Sequence, residues 1–235
     1  MATPAASDNP TSSPSSKKAT IARLLQVARA EFSAKGLNGA RVEDIARAAG
    51  VTKQLIYHYF SSKEQLFACV LDASADKITS ELLALELDHL PPRDALRVLL
   101  THACDQYRSD PALGSLAQQG LRYHDDHASE RSRFPELVPA LTAQMQRLLE
   151  RGQRSGDFRP DIDARLFHAA SSLLTTGGFT NRYMVSAVAG FDTTSPEGMA
   201  AWRDFAVNFA LSAVLVDLRP GLQRALPQPP EDGAA

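Results

Sequence analysis

Lys53, Gln54, Tyr57 and His58 bring an amine, an amide, a phenol and an imidazole into one short stretch of chain. Projected as a helix at about 100° per residue, these four fall on one arc, and Leu55, Ile56, Tyr59 and Phe60 fall on the other. Lys and Gln reach base edges in a major groove, while Tyr and His donate to phosphates or stack on sugars and thymine methyls. A solvated surface helix more often carries Glu and Lys pairs than two adjacent aromatic rings facing out. The outward arc therefore suits reading of a DNA duplex. The plainer alternative is a small amphipathic core helix with incidental polar residues.

The elements that must hold this arc can be read on either side of it. Val42, Ile45, Ala46 and Ala49 form one apolar stripe, and Gly50 can take the left-handed conformation that ends a helix. Val51 then plugs the core, and Thr52 offers an N-cap oxygen for the next helix. Helix, Gly-containing turn and second helix in such quick succession are the layout of a helix-turn-helix. Beyond the second helix, Ser61 with Glu64, or Ser62 with Gln65, can form a capping box. Lys63 at that helix start opposes the macrodipole, a placement explained if it and the free backbone N–H groups meet a phosphate.

The stretch from Asp44 to Phe67, DIARAAGVTKQLIYHYFSSKEQLF, preceded by the Phe32 and Gly36 spacing, resembles the DNA-binding domain of the TetR family of bacterial repressors over roughly residues 20–67. The Ala-Gly-Val-Thr-Lys turn and the Tyr-His-Tyr-Phe-x-x-Lys-Glu ending fall at the right separation, which makes the motif specific. The resemblance implies that Lys53, Gln54 and Tyr57 face bases, and that Thr52, His58, Tyr59 and Lys63 contact the backbone. For Tyr59 this disagrees with the helical projection, which turns it inward. Ala40-Arg41 departs from the family, where hydroxyl residues usually precede the Val. A hydroxyl N-cap is then lost, and Arg41 is the candidate replacement as a charged phosphate contact.

Composition fits this reading once its distribution is considered. The net charge of 235 residues is −2, but residues 17–66 hold nine Lys or Arg against four acids, a local +5, while residues 67–235 sum to −6. A basic head on an acidic body suits a polyanion partner for the head. A hydrophobic content of 44% is enough for cores without metals or disulfides. Cys69 and Cys104 lie in separate apolar helical patterns and read as buried thiols. With no signal-peptide pattern and no long apolar run, the expectation is a cytoplasmic protein without membrane contact.

Residues 1–16 and 219–235 are rich in Pro, Ser, Gly and Ala without periodicity and read as tails. Between them the expected domains are a helix-turn-helix unit over 17–66 and a larger helical effector-binding and dimerisation domain over 67–218. The period is helical throughout, giving an all-α fold with helices near 18–35, 42–49, 53–59, 62–87, 93–109, 111–127, 135–155, 162–187 and 197–217. Ile21, Leu24, Leu25, Ala28 and Phe32 mark the first stripe, and Leu96, Leu99, Leu100, Ala103 and Tyr107 a later one.

The body carries no catalytic signature and no nucleotide-binding glycines, so neither an enzyme nor a cofactor is expected. Its one metal-like cluster, His124-Asp125-Asp126-His127, puts two His at i, i+3, the basis of a rival reading as a helical metal-binding protein or metalloenzyme. The last helix is apolar nearly all round: Trp202, Phe205, Ala206, Phe209, Ala213 and Val216 on one side, and Val207, Leu211, Val214, Leu215 and Leu218 on the other. One side can face its own core while the other takes a partner. The preceding helix offers Leu166, Phe167, Ala170, Leu173, Leu174, Gly177 and Gly178. Pairing of two such helices from each of two subunits gives a four-helix homodimer interface, with a purely intramolecular core as the alternative. Polar or aromatic residues on otherwise apolar helices mark candidate small-molecule effector contacts: His102, Tyr107, Gln119, Tyr123, Arg182 and Tyr183. The partners expected are thus double-stranded operator DNA, an effector and a second copy of the chain.

Overall fold

The structure is a computed structural model that describes residues 14–126 and 133–216. Ten α-helices follow one another among them: α1 (Pro14–Gly39), α2 (Val42–Ala49), α3 (Lys53–Phe60), α4 (Lys63–Leu83), α5 (Pro92–Ser109), α6 (Pro111–Asp126), α7 (Phe134–Ser155), α8 (Ala164–Thr180), α9 (Arg182–Ala189) and α10 (Pro196–Val214). The described residues contain no strand, only an isolated antiparallel bridge between Phe158 and Leu215. None of their helices is long and apolar enough to cross a membrane. The fold is all-α, as the helical period implies.

The chain divides into two compact units, and the division falls inside two helices. Residues up to Ser74 join those from Ser115 onward in α6 to form the first unit, and residues from Ala75 to Gly114 join those from α7 onward to form the second. The first unit closes on Leu24, Ala28, Phe32, Ile45, Ile56, Phe60, Leu66 and Phe67, with Leu116 and Tyr123 brought in by α6. Phe32 meets Phe67 edge-on at 5.0 Å between centroids, and Phe67 meets Tyr123 likewise at 5.4 Å. Each such ring contributes about 1.5–3 kcal/mol by burial and about 0.5–1.5 kcal/mol more by its geometry. The second unit has its own core of Leu96, Leu99, Leu100, Met145, Leu149, Phe158, Phe167, Leu211 and Val214.

Element boundaries differ from the sequence reading most at three places, and α10 also ends at Val214, short of 217. First, α1 begins at Pro14, earlier than residue 18, since Pro fits the first helical turn. Its regular helix breaks at Gly36, φ 71°, where the stripe was expected to stop. Second, α4 ends at Leu83 instead of continuing to 87. Third, the expected helix over 162–187 is two helices divided at Asn181, whose φ of −117° is non-helical. The two glycines at 177 and 178 weaken the helix there, and the Thr175 and Thr180 hydroxyls bond back to the carbonyls of Ser171 and Thr176. His127 and Leu218 lie outside the described residues, as do most of the expected tails.

Candidate nucleic-acid interface

Helix α3 is set at both ends by the residues that spacing singles out. Gly50 takes φ 64°, ψ 37°, closing α2 with its N–H on Ala46 and Arg47 carbonyls. Thr52 Oγ1 accepts from the Leu55 N–H at 3.2 Å, starting α3. At the far end Ser61 is held at φ 53°, the one left-handed non-glycine among the described residues, and Ser62 Oγ accepts from the Gln65 N–H at 3.0 Å to start α4. Of the two alternative capping pairs, Ser62 with Gln65 is the one whose serine caps.

The faces of α3 separate cleanly. Ile56 and Phe60 are buried, Leu55 and Tyr59 half-buried, and Lys53, Gln54, Tyr57 and His58 exposed. Tyr59 packs on the core of the first unit with the Lys17 amine 5.7 Å from its ring centroid. Its placement follows the helical projection. The Lys53 amine lies 5.7 Å from the Tyr57 ring centroid and pairs with the Glu43 carboxylate of α2. That hydrogen bond holds the Glu43 carboxyl below its ordinary range and raises the Lys53 amine above its own.

Beside α3 runs an open groove lined by Arg41, Glu43, Tyr57, Ser61, Ser62 and Lys63 among others. It joins the N-terminal ends of α2 and α4, where backbone N–H groups and the positive dipole ends favour an anion. Lys63 Nζ donates to the Ala40 carbonyl at 3.4 Å, which puts its charge at this groove. Arg41 occupies the N-cap position of α2 with no side-chain cap, as its departure from a hydroxyl implies, and its backbone N–H reaches Glu31 Oε1 at 3.5 Å. Thr52, Lys53, Gln54, Tyr57, His58, Arg41 and Lys63 thus lie on the exterior of one small unit.

The six residues expected around an effector are divided between the two units. Gln119 and Tyr123 belong to the first unit: the Gln119 amide donates to the Phe32 carbonyl at 3.1 Å, and Tyr123 is 5% exposed within that core. Arg182 and Tyr183 lie exposed on α9, Tyr183 at 86%, because α9 is a separate short helix with one buried residue, Val185. Tyr107 stacks on Phe179 at 5.3 Å, its phenol pushed up by burial. His102 is half-buried, and its Nε2 has no hydrogen-bond partner among the described residues.

A cavity of about 40 Å³ does open in the second unit, and sequence reasoning missed its polar lining: Gln144, His168, Ser171, Ser172 and Thr175, set among leucines, Ala103 and Met145. Gln144 Nε2 donates to the Leu82 carbonyl at 3.2 Å, while its buried Oε1 accepts from no described group. His168 Nδ1 lies 2.9 Å from Thr142 Oγ1, and burial lowers the imidazole below its ordinary value. The available signal was a recurrence of small hydroxyl residues along the inward face of α8. Both cysteines are free; Cys104 is buried, its thiol pushed up to about 12 by desolvation. His124 packs edge-on to Tyr123, and among the described residues no three His, Cys, Asp or Glu group as metal ligands.

The expected dimer residues divide. Phe205 (55%) and Phe209 (53%) are exposed with Ala170 and Ala213, whereas Phe167, Gly177 and Gly178 are buried and Trp202 and Leu174 half-buried. The division has a local cause: the Trp202 indole lies over the two glycines and donates to the Leu174 carbonyl at 3.0 Å, so this close-packing surface serves α10 of the same chain. Ala206 is likewise fully buried. Leu166 (71%) and Leu173 (73%) take the outward positions on α8 instead.

A head that exposes a basic, aromatic helix-turn-helix ahead of an all-helical body defines a DNA-binding regulator of transcription. Residues 24–70 match the family described as bacterial regulatory proteins, tetR family, and residues 92–209 match the tetracyclin repressor-like C-terminal domain. The transcriptional repressor NicS of Pseudomonas putida is 29% identical over 190 residues, 80% of this chain and 89% of that protein. The repressor KstR2 of Rhodococcus jostii is 29% identical over 160 residues, covering 67% and 76%. The solved structure of the fatty acid degradation regulator FadR from Bacillus halodurans shares the fold, with a TM-score of 0.64 at 19% identity over 88% of this chain and 97% of that one. The chain belongs to the TetR family of transcriptional regulators.

Proposed function

We propose that this regulator is a cytoplasmic repressor that binds a near-palindromic operator as a homodimer and is released by a small molecule held in the body. One observation carries the DNA-reading part: α3 turns Lys53, Gln54, Tyr57 and His58 to solvent while Ile56 and Phe60 anchor it. In this reading Lys53, Gln54 and Tyr57 face bases, His58 and Thr52 the sugar-phosphate backbone, and one phosphate sits in the groove beside Arg41 and Lys63. Tyr59 reaches the backbone only by its hydroxyl. The repressor sign is supported by NicS and KstR2, both repressors.

The homodimer reading rests on Leu166 and Leu173 of α8 and on Phe205, Phe209 and Val216 of the chain's last described stretch, all large apolar side chains left exposed in the second unit. For the effector, the cavity beside Gln144 and His168 is a better seat than the dispersed residues of the sequence reading, but at about 40 Å³ it holds little more than a water or two, so a small molecule enters only as its walls part. Its lining has no Lys, Arg, Asp or Glu and His168 is kept neutral, which favours an uncharged molecule whose hydrogen-bond donor meets Gln144 Oε1. Release requires that the molecule prefer a conformer with a different head spacing; equal affinity for both would shift nothing.

The test is binding to duplexes that the protein selects from a random pool, measured in rising salt. Affinity falls steeply with salt and is reduced in Lys53→Ala and Tyr57→Ala, each by about 1–3 kcal/mol if it reads a base. A flat salt response, or undiminished affinity in both variants, overturns the reading.

A further inference from the structure

The groove beside α3 is lined by two acids, Glu43 and Glu64, where none is needed for charge attraction. Glu64 sits in the first turn of α4, and Glu43 is the one that pairs with a residue of α3. Glu43 lines the same open groove as Arg41, Tyr57 and Lys63, and its side chain is 56% exposed. A carboxylate there repels phosphate, so its presence on a polyanion-binding face costs affinity. The first turn of α2 holds two acids, and the helix dipole accounts for an acid at that end. The two are not used alike, however. Asp44 turns to Lys35 and Arg47, away from α3, whereas Glu43 crosses to the Lys53 amine at the first position of α3.

That contact fixes the shape of a flexible side chain. Lys53 has four methylenes and a strongly hydrated ammonium, and left free it follows the nearest phosphate. Held by Glu43 on one side and lying 5.7 Å from the Tyr57 ring centroid on the other, it presents its amine beside the tyrosine that shares its arc. A lysine so ordered reads guanine O6 and N7 at less entropic cost, and it gives a non-cognate backbone less attraction because its charge is already paired.

We propose that Glu43 is a specificity residue: by pairing with Lys53 over Tyr57 it steers the amine to a base edge and suppresses binding to DNA of the wrong sequence. The proposal rests on α3 being the reading helix. Glu43→Gln keeps the shape of the side chain and removes its charge. Compared with wild type, it binds a scrambled duplex about two- to fivefold more tightly, the range of an exposed ion pair. Its salt slope on that duplex steepens by about 0.9, one more phosphate neutralised. Affinity for the duplex selected from the random pool does not rise, so the ratio of selected to scrambled binding falls.

The control is a double-mutant cycle on the scrambled duplex at low salt, with Lys53→Gln as the second change. In the Lys53→Gln background the gain from Glu43→Gln shrinks to the part that comes from relieved repulsion of phosphate alone. An unchanged ratio in Glu43→Gln, or an equal gain with and without Lys53, overturns the steering role and leaves a mere removal of one negative charge. Failure of the underlying reading looks different: Lys53→Gln alone would then bind selected and scrambled duplexes with the wild-type ratio. Circular dichroism and urea midpoints confirm that the head remains folded in each variant.

Discussion

His168 takes an imidazole into the half-buried wall of the body cavity, with Thr142 Oγ1 2.9 Å from its Nδ1 and no cation or carboxylate in the cavity lining. Burial lowers its value in the folded chain below the ordinary 6.5. On acidification the unfolded chain then takes up a proton that the folded chain refuses. Stability from this group is present above the ordinary value and declines as pH falls through it toward the lowered folded value. His168→Gln removes that decline: the drop in urea midpoint between about pH 7.5 and about pH 5.5 is smaller than in wild type, and an equal drop in both refutes the assignment. Such side chains were the hardest to read in advance. Lys53, Gln54, Tyr57 and His58 share a helix too short to bury a second face, so periodicity alone turned them outward. Gln144 and His168 are single polar residues on long helices, and whether each meets solvent or a cavity depends on which neighbours pack there. Glu43 carries no distinguishing sequence signal, because acids in a first helical turn are ordinary.

Among the elements, α8 and α10 show how close two helices are set by residues without side chains. A methyl group on Gly178 would lie 2.5 Å from Trp202 Cδ1, closer than atoms tolerate, while one on Gly177 would lie 3.6 Å from Trp202 Cζ2, an ordinary contact. The two adjacent glycines therefore differ in sign. Gly178→Ala pushes the indole off its Leu174 hydrogen bond and costs about 1–3 kcal/mol, whereas Gly177→Ala gains helix propensity of up to about 1 kcal/mol. Urea denaturation followed by Trp202 fluorescence checks both; equal midpoints for the two variants would show that the indole does not seat as described. The sequence marked this pair as a close-packing surface without saying what packs on it. Apolar periodicity identifies a face that needs cover and is silent on whether the cover comes from the same chain. The same limit merged α8 with α9, since Thr175 and Thr180 look like ordinary helix residues until their hydroxyls are seen bonded to the preceding turn. Where the cue was backbone chemistry, as at Gly36, Gly50 and Thr52, the boundary was legible to the residue.

For the molecule as a whole, α10 presents two apolar sides, and only one of them is covered among the described residues. Val207, Leu211 and Val214 are satisfied in its own core, and Phe205 and Phe209 on the other side, with Val216 just past its end, are left more than half exposed, as are Leu166 and Leu173 of α8. An isologous pairing covers both copies of this face at once, since each protomer offers the same patch. Because Leu173 and Phe209 are exposed in the protomer, charging them leaves each chain's core intact and acts on association alone. The double variant Leu173→Glu, Phe209→Glu accordingly sediments at the mass of one chain, while wild type sediments at twice that mass, and its thermal unfolding loses the concentration dependence expected of a dimer. Its DNA binding changes as well: with two heads joined, the second half-site is engaged intramolecularly, so separating them lowers affinity for a two-half-site duplex on the order of 10²-fold or more. Affinity for a single half-site is unaffected. A variant that stays dimeric puts the interface elsewhere on the chain, and one that is monomeric yet holds the full duplex as tightly as wild type removes dimerisation from the mechanism of operator binding.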